Sequence, residues 1–163
     1  MRVSLFATCL GNQFYAEACA DAVRLLRHVG VDVDVPEGQT CCGQPAHNAG
    51  RPDEARSMAT HIMHVFADAE YVVLPSGSCA GMIRSFYREL IDSDPGQAES
   101  LAGRTYEVSQ FLRQVLNVDS LGTGLRGRRV AYHHGCHALR ELGVKDEPIS
   151  LLAGCGAEVV EWE

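Results

Sequence analysis

The chain has 163 residues, of which 46% are hydrophobic and 21% charged, and its formal net charge is −7. A hydrophobic fraction this high excludes a disordered chain, and the length suits one domain or two small, closely packed ones. The acidic balance excludes nucleic acid as the main partner, because no basic stripe is present to neutralise a phosphate backbone. No apolar stretch approaches the roughly 18 residues that a transmembrane segment requires.

Strand and helix patterns alternate through the first part of the chain. The predicted strands cover residues 3–8, 31–35 and 71–74, and the predicted helices cover residues 13–28, 52–67 and 79–91. A cysteine-containing loop separates the second strand from the second helix. Alternation of this kind predicts an α/β fold built from βαβ units with a mainly parallel sheet.

The second part of the chain repeats the beginning of the first. Residues 92–97 form a polar connector, a helix is predicted at residues 108–116, and residues 122–127 are glycine-rich. Further predictions are a strand at residues 129–133, helical segments at 138–142 and 151–153, and an edge strand at 157–162. The segment ending at Cys136 matches the one ending at Cys9 with an offset of 126 to 127 residues, which makes Glu163 the counterpart of Glu37. This repeat predicts that the chain stops inside its second unit.

Three segments follow from the repeat. Residues 1–97 are expected to form a complete cysteine-rich half, residues 98–127 a connector with a helix, and residues 128–163 the incomplete start of a second half. A half with only two strands buries little apolar surface by itself. We therefore expect the strands at residues 129–133 and 157–162 to extend the first sheet or to pair with another chain, as in a homodimer.

Seven cysteines are present, an odd number that includes an adjacent pair and does not suit a disulfide framework. A cytoplasmic location is therefore expected, where thiols are available for metal or redox chemistry. Cys9, Cys41, Cys42 and Cys79 follow predicted strands, at the edge where open α/β sheets gather ligands. Four thiolates at one edge form the usual ligand set of an iron–sulfur cluster. The alternative is a set of four buried core cysteines.

The spacing of these cysteines resembles that of the cysteine-rich CCG-domain family, which includes the catalytic subunit of heterodisulfide reductase. The motifs are Cys9, Cys41-Cys42-Gly43 and the sequence PSGSC ending at Cys79. The long stretch from CLGNQF to CCGQPAHNAG, together with VVLPSGSCAGMI, is most similar to the lactate-utilisation members of the family. The segment YHHGCHALRELGVKDEP resembles the start of their second CCG motif. The resemblance implies a cluster of the 4Fe-4S type on the four cysteines, with Cys136 in a second, incomplete metal site.

The chain departs from the family pattern after Cys79. The family motif usually ends in C-x-x-C, but the last position here is Met82, which leaves four cysteine ligands. A thioether is a weak iron ligand, so Met82 is predicted to pack in the core. Cys19 and Cys155 do not match the family pattern and are predicted to be structural. His133, His134 and His137 flank Cys136 and are interpreted mostly as background, with tuning of its thiolate or zinc binding as the alternative.

The resemblance implies an iron–sulfur electron-transfer component of a cytoplasmic complex that oxidises L-lactate, or a related 2-hydroxy acid, to the keto acid. The implied partners are companion lactate-utilisation subunits, one of them another iron–sulfur protein. The carbon chemistry need not occur on this chain. One alternative is a thiol–disulfide redox enzyme similar to heterodisulfide reductase, although the methionine at position 82 counts against it. The other is a structural or binding module with a zinc–thiolate site.

Overall fold

The computed structural model describes residues 1–160 and contains two parallel sheets. The strands are β1 Arg2–Leu5, β2 Asp32–Asp34, β3 Tyr71–Leu74, β4 Thr105–Glu107, β5 Arg129–Ala131 and β6 Glu158–Val160. The first sheet has the order β2-β1-β3-β4, and β5 pairs with β6 in the second. Every strand pair is parallel. The predicted α/β class with a parallel sheet is confirmed.

Helices connect these strands. They are α1 Cys9–Phe14, α2 Ala16–His28, α3 Gln44–Asn48, α4 Pro52–Val65, α5 Gly77–Gly81, α6 Tyr87–Leu90, α7 Pro95–Gly103, α8 Val108–Gln110, α9 Cys136–Arg140 and α10 Asp146–Gly154. A π-helical turn, Met82–Phe86, joins α5 to α6, and a second one, Phe111–Val115, continues α8. No helix within residues 1–160 is both long enough and apolar enough to cross a membrane.

The first sheet is covered by apolar side chains on both faces. Successive strand residues point to opposite faces, so β3 directs Val72 and Leu74 to one side and Val73 to the other. Residues of α4, α6 and α7 pack on the first side, whereas residues of α2 and α10 pack on the second. Burial on both faces explains why β3 consists of consecutive apolar residues.

The sequence patterns missed β4 and α7. Thr105–Glu107 is short and mixed in polarity, and it becomes a strand through its pairing with β3 at the edge of the sheet. Helix α7 begins inside the predicted polar connector, where the Asp94 side chain accepts a hydrogen bond from the Gln97 backbone at 2.9 Å. This N-cap, followed by Pro95, is a start signal for a helix. The segment 98–127 therefore contains the fourth strand of the sheet.

Of the two alternatives for the last two strands, extension of the first sheet is wrong for the described residues, and pairing with another chain stays a prediction. β5 and β6 instead pair with each other, with Arg129 opposite Glu158 and Ala131 opposite Val160. Helices α9 and α10 lie between them in the chain, so this segment forms a small βαβ unit of its own. Residues 161 and 162 of the predicted last strand, and Glu163 as the counterpart of Glu37, lie outside the described residues.

Candidate metal centre

Four of the predicted site cysteines meet beyond the carboxyl ends of three neighbouring strands. Cys9 begins α1 after β1, Cys41 and Cys42 lie in the loop after β2, and Cys79 lies in α5 after β3. All four line one cavity of about 280 Å³. The parallel sheet explains this convergence, because the carboxyl ends of β2, β1 and β3 lie side by side at one edge.

The four thiols form two pairs. The side chain of Cys9 hydrogen-bonds with that of Cys41, and the side chain of Cys42 hydrogen-bonds with that of Cys79. Cys42 and Cys79 are buried, whereas Cys9 and Cys41 are partly exposed, and all are free thiols. One pair is therefore an inner pair and the other lies closer to solvent.

Cys79 is the thiol of the inner pair that ionises first. Its pKa is lowered to about 7, mainly because its sulfur accepts a hydrogen bond from Cys42, and the side chains of Ser76 and Ser78 contribute further hydrogen bonds. The pKa of Cys42 is raised, because Cys42 keeps its proton in that hydrogen bond and is buried. Burial, followed by the contact with Cys41, also raises the pKa of Cys9. The site thus stabilises a thiolate at Cys79.

Local backbone conformation fixes the segments that carry the cysteines. Thr8, directly before Cys9, has φ 62° and ψ 153°, a region that non-glycine residues rarely adopt and that costs about 1–3 kcal/mol. Its hydroxyl offsets part of this cost by accepting a hydrogen bond from the Gly11 backbone at 3.2 Å. Gly43, directly after the cysteine pair, has φ +89°, and a Cβ there would lie 3.0 Å from the Ala55 carbonyl oxygen. Glycine is therefore required where the loop enters α3.

Tyr87 supports the adjacent cysteines from the core. It is fully buried, and its hydroxyl donates a hydrogen bond to the Cys42 carbonyl oxygen at 2.9 Å. Replacing Tyr87 with phenylalanine should lower the free energy of unfolding by about 1–3 kcal/mol, because a buried acceptor loses its donor. Denaturant titration of the two proteins measures this difference.

The matched control is Tyr15→Phe, which removes the same hydroxyl from a side chain that is 69% exposed. A change within about 0.5 kcal/mol is expected for this variant. Equal losses in the two variants would show that the buried hydrogen bond to Cys42 contributes nothing to the free energy of unfolding beyond the effect of removing an exposed hydroxyl.

The strongest metal-binding groups that line the cavity are thiols. Among the described residues that line it, none is a carboxylate, a histidine, a lysine or an arginine. Thiolates select zinc, copper(I) or iron–sulfur clusters. Within residues 1–160, no three His, Cys, Asp or Glu side chains are placed to hold a single metal ion. The four cysteines therefore suit a thiophilic metal ion or an iron–sulfur cluster.

The remaining sulfur residues divide between the core and the surface. Met82 is fully buried and packs within the apolar cluster that contains Phe6 and Phe66. Cys19 also lines the four-cysteine cavity, but its thiol donates to the Ala7 carbonyl oxygen at 3.1 Å. Cys155 is partly exposed and does not line this cavity.

Cys136 lies apart from the other predicted ligands. It is exposed at the start of α9 and lines a separate cavity of about 300 Å³ together with Ser78 and Glu107. The structure does not bring it into the four-cysteine cavity. Its neighbour His137 lies nearer to that site, since the His137 ring contacts the Gln44 side chain.

The sequence patterns did not identify Gln44 or Tyr87 as part of the site. Gln44 directly follows the Cys41-Cys42-Gly43 motif, and its side chain donates to the Ser78 carbonyl oxygen at 3.2 Å. Ser76 caps α5 by accepting a hydrogen bond from the Cys79 backbone. The position of Ser76 three residues before Cys79 is a signal that could have identified this cap. The Tyr87 contact spans 45 residues and has no local signal.

Comparison with known proteins identifies close relatives. The family model described as "CCG: Cysteine-rich domain" matches residues 3–84. Lactate utilization protein A of Geobacillus kaustophilus is 50% identical over 155 residues, which cover 93% of this chain and 64% of that protein. Lactate utilization protein A of Geobacillus sp. strain WCH70 is 46% identical over 164 aligned positions, which cover 98% and 68%. Lactate utilization protein A 2 of Bacillus cereus strain Q1 is 43% identical, with coverage of 94% and 64%. The chain spans about two thirds of the length of these relatives.

Proposed function

The chain belongs to the CCG cysteine-rich domain family and to the family of lactate utilization protein A, and on this basis we propose that it is an iron–sulfur electron-transfer component of lactate oxidation. Cys9, Cys41, Cys42 and Cys79 would hold a 4Fe-4S cluster. The observation that carries the proposal is the convergence of these four thiols on one cavity lined by no other metal-binding side chain type. Such a cluster, when bound, accepts and releases single electrons.

The residues around the cavity favour electron transfer over carbon chemistry. Oxidation of a 2-hydroxy acid requires a cation that binds the carboxylate and a base that takes the hydroxyl proton. The described lining of the cavity offers neither, since its polar members are thiols, hydroxyls and the Gln44 amide. We therefore assign oxidation of the carbon to a companion subunit, and transport of the electrons to this chain.

The chain's own hydrogen bonds act on the sulfurs. The Gly43 backbone donates to the Cys41 sulfur at 3.5 Å, and Ser76 and Ser78 lower the pKa of Cys79. Hydrogen bonds to cluster sulfurs stabilise negative charge and are one determinant of the reduction potential. These residues would make the thiolate form available for iron and would adjust the ease of reduction.

An exposed apolar surface adjoins the cavity. Leu10, Phe14 and Tyr15 are 61%, 71% and 69% exposed, and Leu10 and Tyr15 also line the cavity. Contiguous exposed apolar side chains indicate interaction sites. We assign this surface to the companion lactate-utilisation subunit that is itself an iron–sulfur protein, because an electron must leave through the wall of the cavity. The seven free cysteines suit the reducing cytoplasm as the location.

Thiol–disulfide exchange is the second candidate function. The observation that favours it is the contact between Cys42 and Cys79, in which the pKa of Cys79 is lowered to about 7. Exchange requires a thiolate that another molecule can reach. Cys42 is 1% exposed and Cys79 is 8% exposed. Because another molecule cannot readily reach either sulfur, thiol–disulfide exchange is less favoured than electron transfer.

The role in lactate utilisation is tested in the host organism. A strain that lacks the gene is grown on L-lactate as the sole carbon source and complemented with the wild-type gene, with Cys79→Ser or with Cys155→Ser. We expect the wild type and Cys155→Ser to restore growth and Cys79→Ser not to restore it. Full growth with Cys79→Ser would contradict the proposal, as would growth of the uncomplemented strain.

A further inference from the structure

The helix that begins at Cys136 packs directly against the helix that carries Cys79. A Cβ on Gly77 would lie 2.6 Å from the Ala138 Cβ, and a Cβ on Gly81 would collide with the Glu141 carboxylate. Separations this short do not occur between real side chains, so the two glycines allow α9 to approach α5 closely. The approach brings residues of the small βαβ unit to the rim of the four-cysteine site.

His137 of α9 and Glu141, which directly follows this helix, form a fixed pair. The His137 Nδ1 lies 2.6 Å from one Glu141 carboxylate oxygen, one turn further along the chain. The other carboxylate oxygen is buried and has no hydrogen-bond partner among the described residues. Because a carboxylate oxygen only accepts, His137 donates its Nδ1–H to Glu141. Glu141 thus sets the orientation of the imidazole ring.

The second ring nitrogen of His137 contacts Gln44. The Gln44 side-chain nitrogen donates to the Ser78 carbonyl oxygen at 3.2 Å and lies 3.4 Å from the His137 Nε2. The contact with the Ser78 carbonyl fixes the orientation of the Gln44 amide. If the amide were turned over, its oxygen would face the Ser78 carbonyl oxygen, and two acceptors repel each other. The Gln44 nitrogen is therefore a donor toward His137, and the His137 Nε2 accepts. The tautomer that satisfies both contacts carries its proton on Nδ1 and accepts at Nε2.

This chain of contacts links the two segments that carry the buried thiols. Gln44 lies two residues after Cys42, and Ser78 directly precedes Cys79. The Gln44–Ser78 hydrogen bond therefore holds the two segments together beside the contact between their thiols. His137 contacts the Gln44 amide through its Nε2 and so restrains that side chain. Residues that hydrogen-bond around a metal site in this way orient the residues that bind the metal.

We propose that His137, oriented by Glu141, is a positioning residue of the four-cysteine site and acts on it through Gln44. The inference rests on the proposed function, since it concerns the stability of the cluster that these cysteines would hold. It assigns to the small βαβ unit a role in the first cysteine site, in addition to carrying Cys136. Loss of the Gln44 contact should loosen the two segments and speed the loss of iron.

Two substitutions at position 137 separate this role from simple packing. The side-chain amide of His137→Asn reaches the place of Nδ1, so it keeps the Glu141 contact and loses the Gln44 contact. His137→Gln reaches the place of Nε2, so its oxygen still accepts from Gln44 while the Glu141 contact is lost. The full chain is loaded anaerobically with iron and sulfide, and iron release to a chelator is followed for each protein.

We expect His137→Asn to release iron about two- to tenfold faster than the wild type, which is the effect of one lost hydrogen bond. His137→Gln should stay close to the wild-type rate, as should His133→Gln, a control that changes an exposed histidine on the same segment. The reverse order, with His137→Gln faster than His137→Asn, would overturn the inference. A wild-type chain that holds no iron would overturn both the inference and the proposed function.

A double-mutant cycle tests the route through Gln44 independently. Gln44→Met removes the amide, so adding His137→Asn to it should not increase the rate of iron release further. Additive effects of the two substitutions would overturn the inference while leaving the cluster in place. Far-UV circular dichroism of each variant shows whether it is folded. If His137→Asn does not fold, the double variant His137→Gln with Gln44→Met takes its place in the cycle. Iron release from that double variant that is faster than from Gln44→Met alone would overturn the inference.

Discussion

Replacing Cys79 with serine is expected to reduce the iron content of the anaerobically reconstituted chain from about four atoms to nearly none, because four cysteines hold such a cluster. Cys79 is the buried thiol whose pKa is lowered to about 7, and it would supply the more readily formed thiolate of the inner pair. A serine hydroxyl does not ionise near neutral pH and is a poor replacement for a thiolate. Iron and acid-labile sulfide per chain, measured after removal of unbound metal, report the loss.

The matched control for this result is Cys155→Ser. Cys155 is a free, partly exposed thiol that does not line the four-cysteine cavity, so its replacement should leave the iron content unchanged. Loss of iron in both variants would indicate non-specific binding by free thiols. Full iron content in Cys79→Ser would remove Cys79 from the ligand set.

Replacing Phe6 with alanine should lower the free energy of unfolding by about 3–5 kcal/mol, because a large cavity is left in a close-packed core. Phe6 is fully buried between β1 and the Thr8–Cys9 turn, and its ring lies 5.3 Å from the ring of Phe66. For a chain of this size, such a loss corresponds to a fall of roughly 6–20 °C in the melting temperature. Denaturant titration and thermal unfolding measure the two quantities.

Phe14→Ala is the matched control for Phe6→Ala. The same ring is removed from α1, but Phe14 is 71% exposed and belongs to neither core cluster. Its replacement should change the free energy of unfolding by no more than about 0.5 kcal/mol. A large loss in Phe14→Ala would mean that this side chain is covered in solution, and a small loss in Phe6→Ala would contradict the packing described above.

Local patterns predicted the elements whose burial is continuous. The run of apolar residues in β3 and the helical spacing in α4 follow directly from faces that are buried along their whole length. Thr105–Glu107 has no such pattern, because its strand conformation depends on hydrogen bonds to β3, some 30 residues earlier in the chain. The pairing of β5 with β6 could not be predicted from the sequence either, since a strand pattern does not specify the neighbouring strand.

The four-cysteine set was predictable because strand ends in a parallel sheet share one edge. Cys9, Cys42 and Cys79 each follow a strand, so the topology alone brings them together. The surrounding network has no comparable signal. The contact between Gln44 and His137 spans 93 residues and depends on the close approach of α9 to α5, which only the packed structure reveals.

The most direct test of the account is metal analysis of the wild-type chain purified without oxygen. Iron, zinc and acid-labile sulfide are measured per chain, together with the visible absorption spectrum and the electron paramagnetic resonance signal before and after reduction. The account predicts about four iron atoms and about four sulfides, with a signal that changes on reduction. A colourless protein with about one zinc atom per chain, or with no metal after reconstitution, would contradict it.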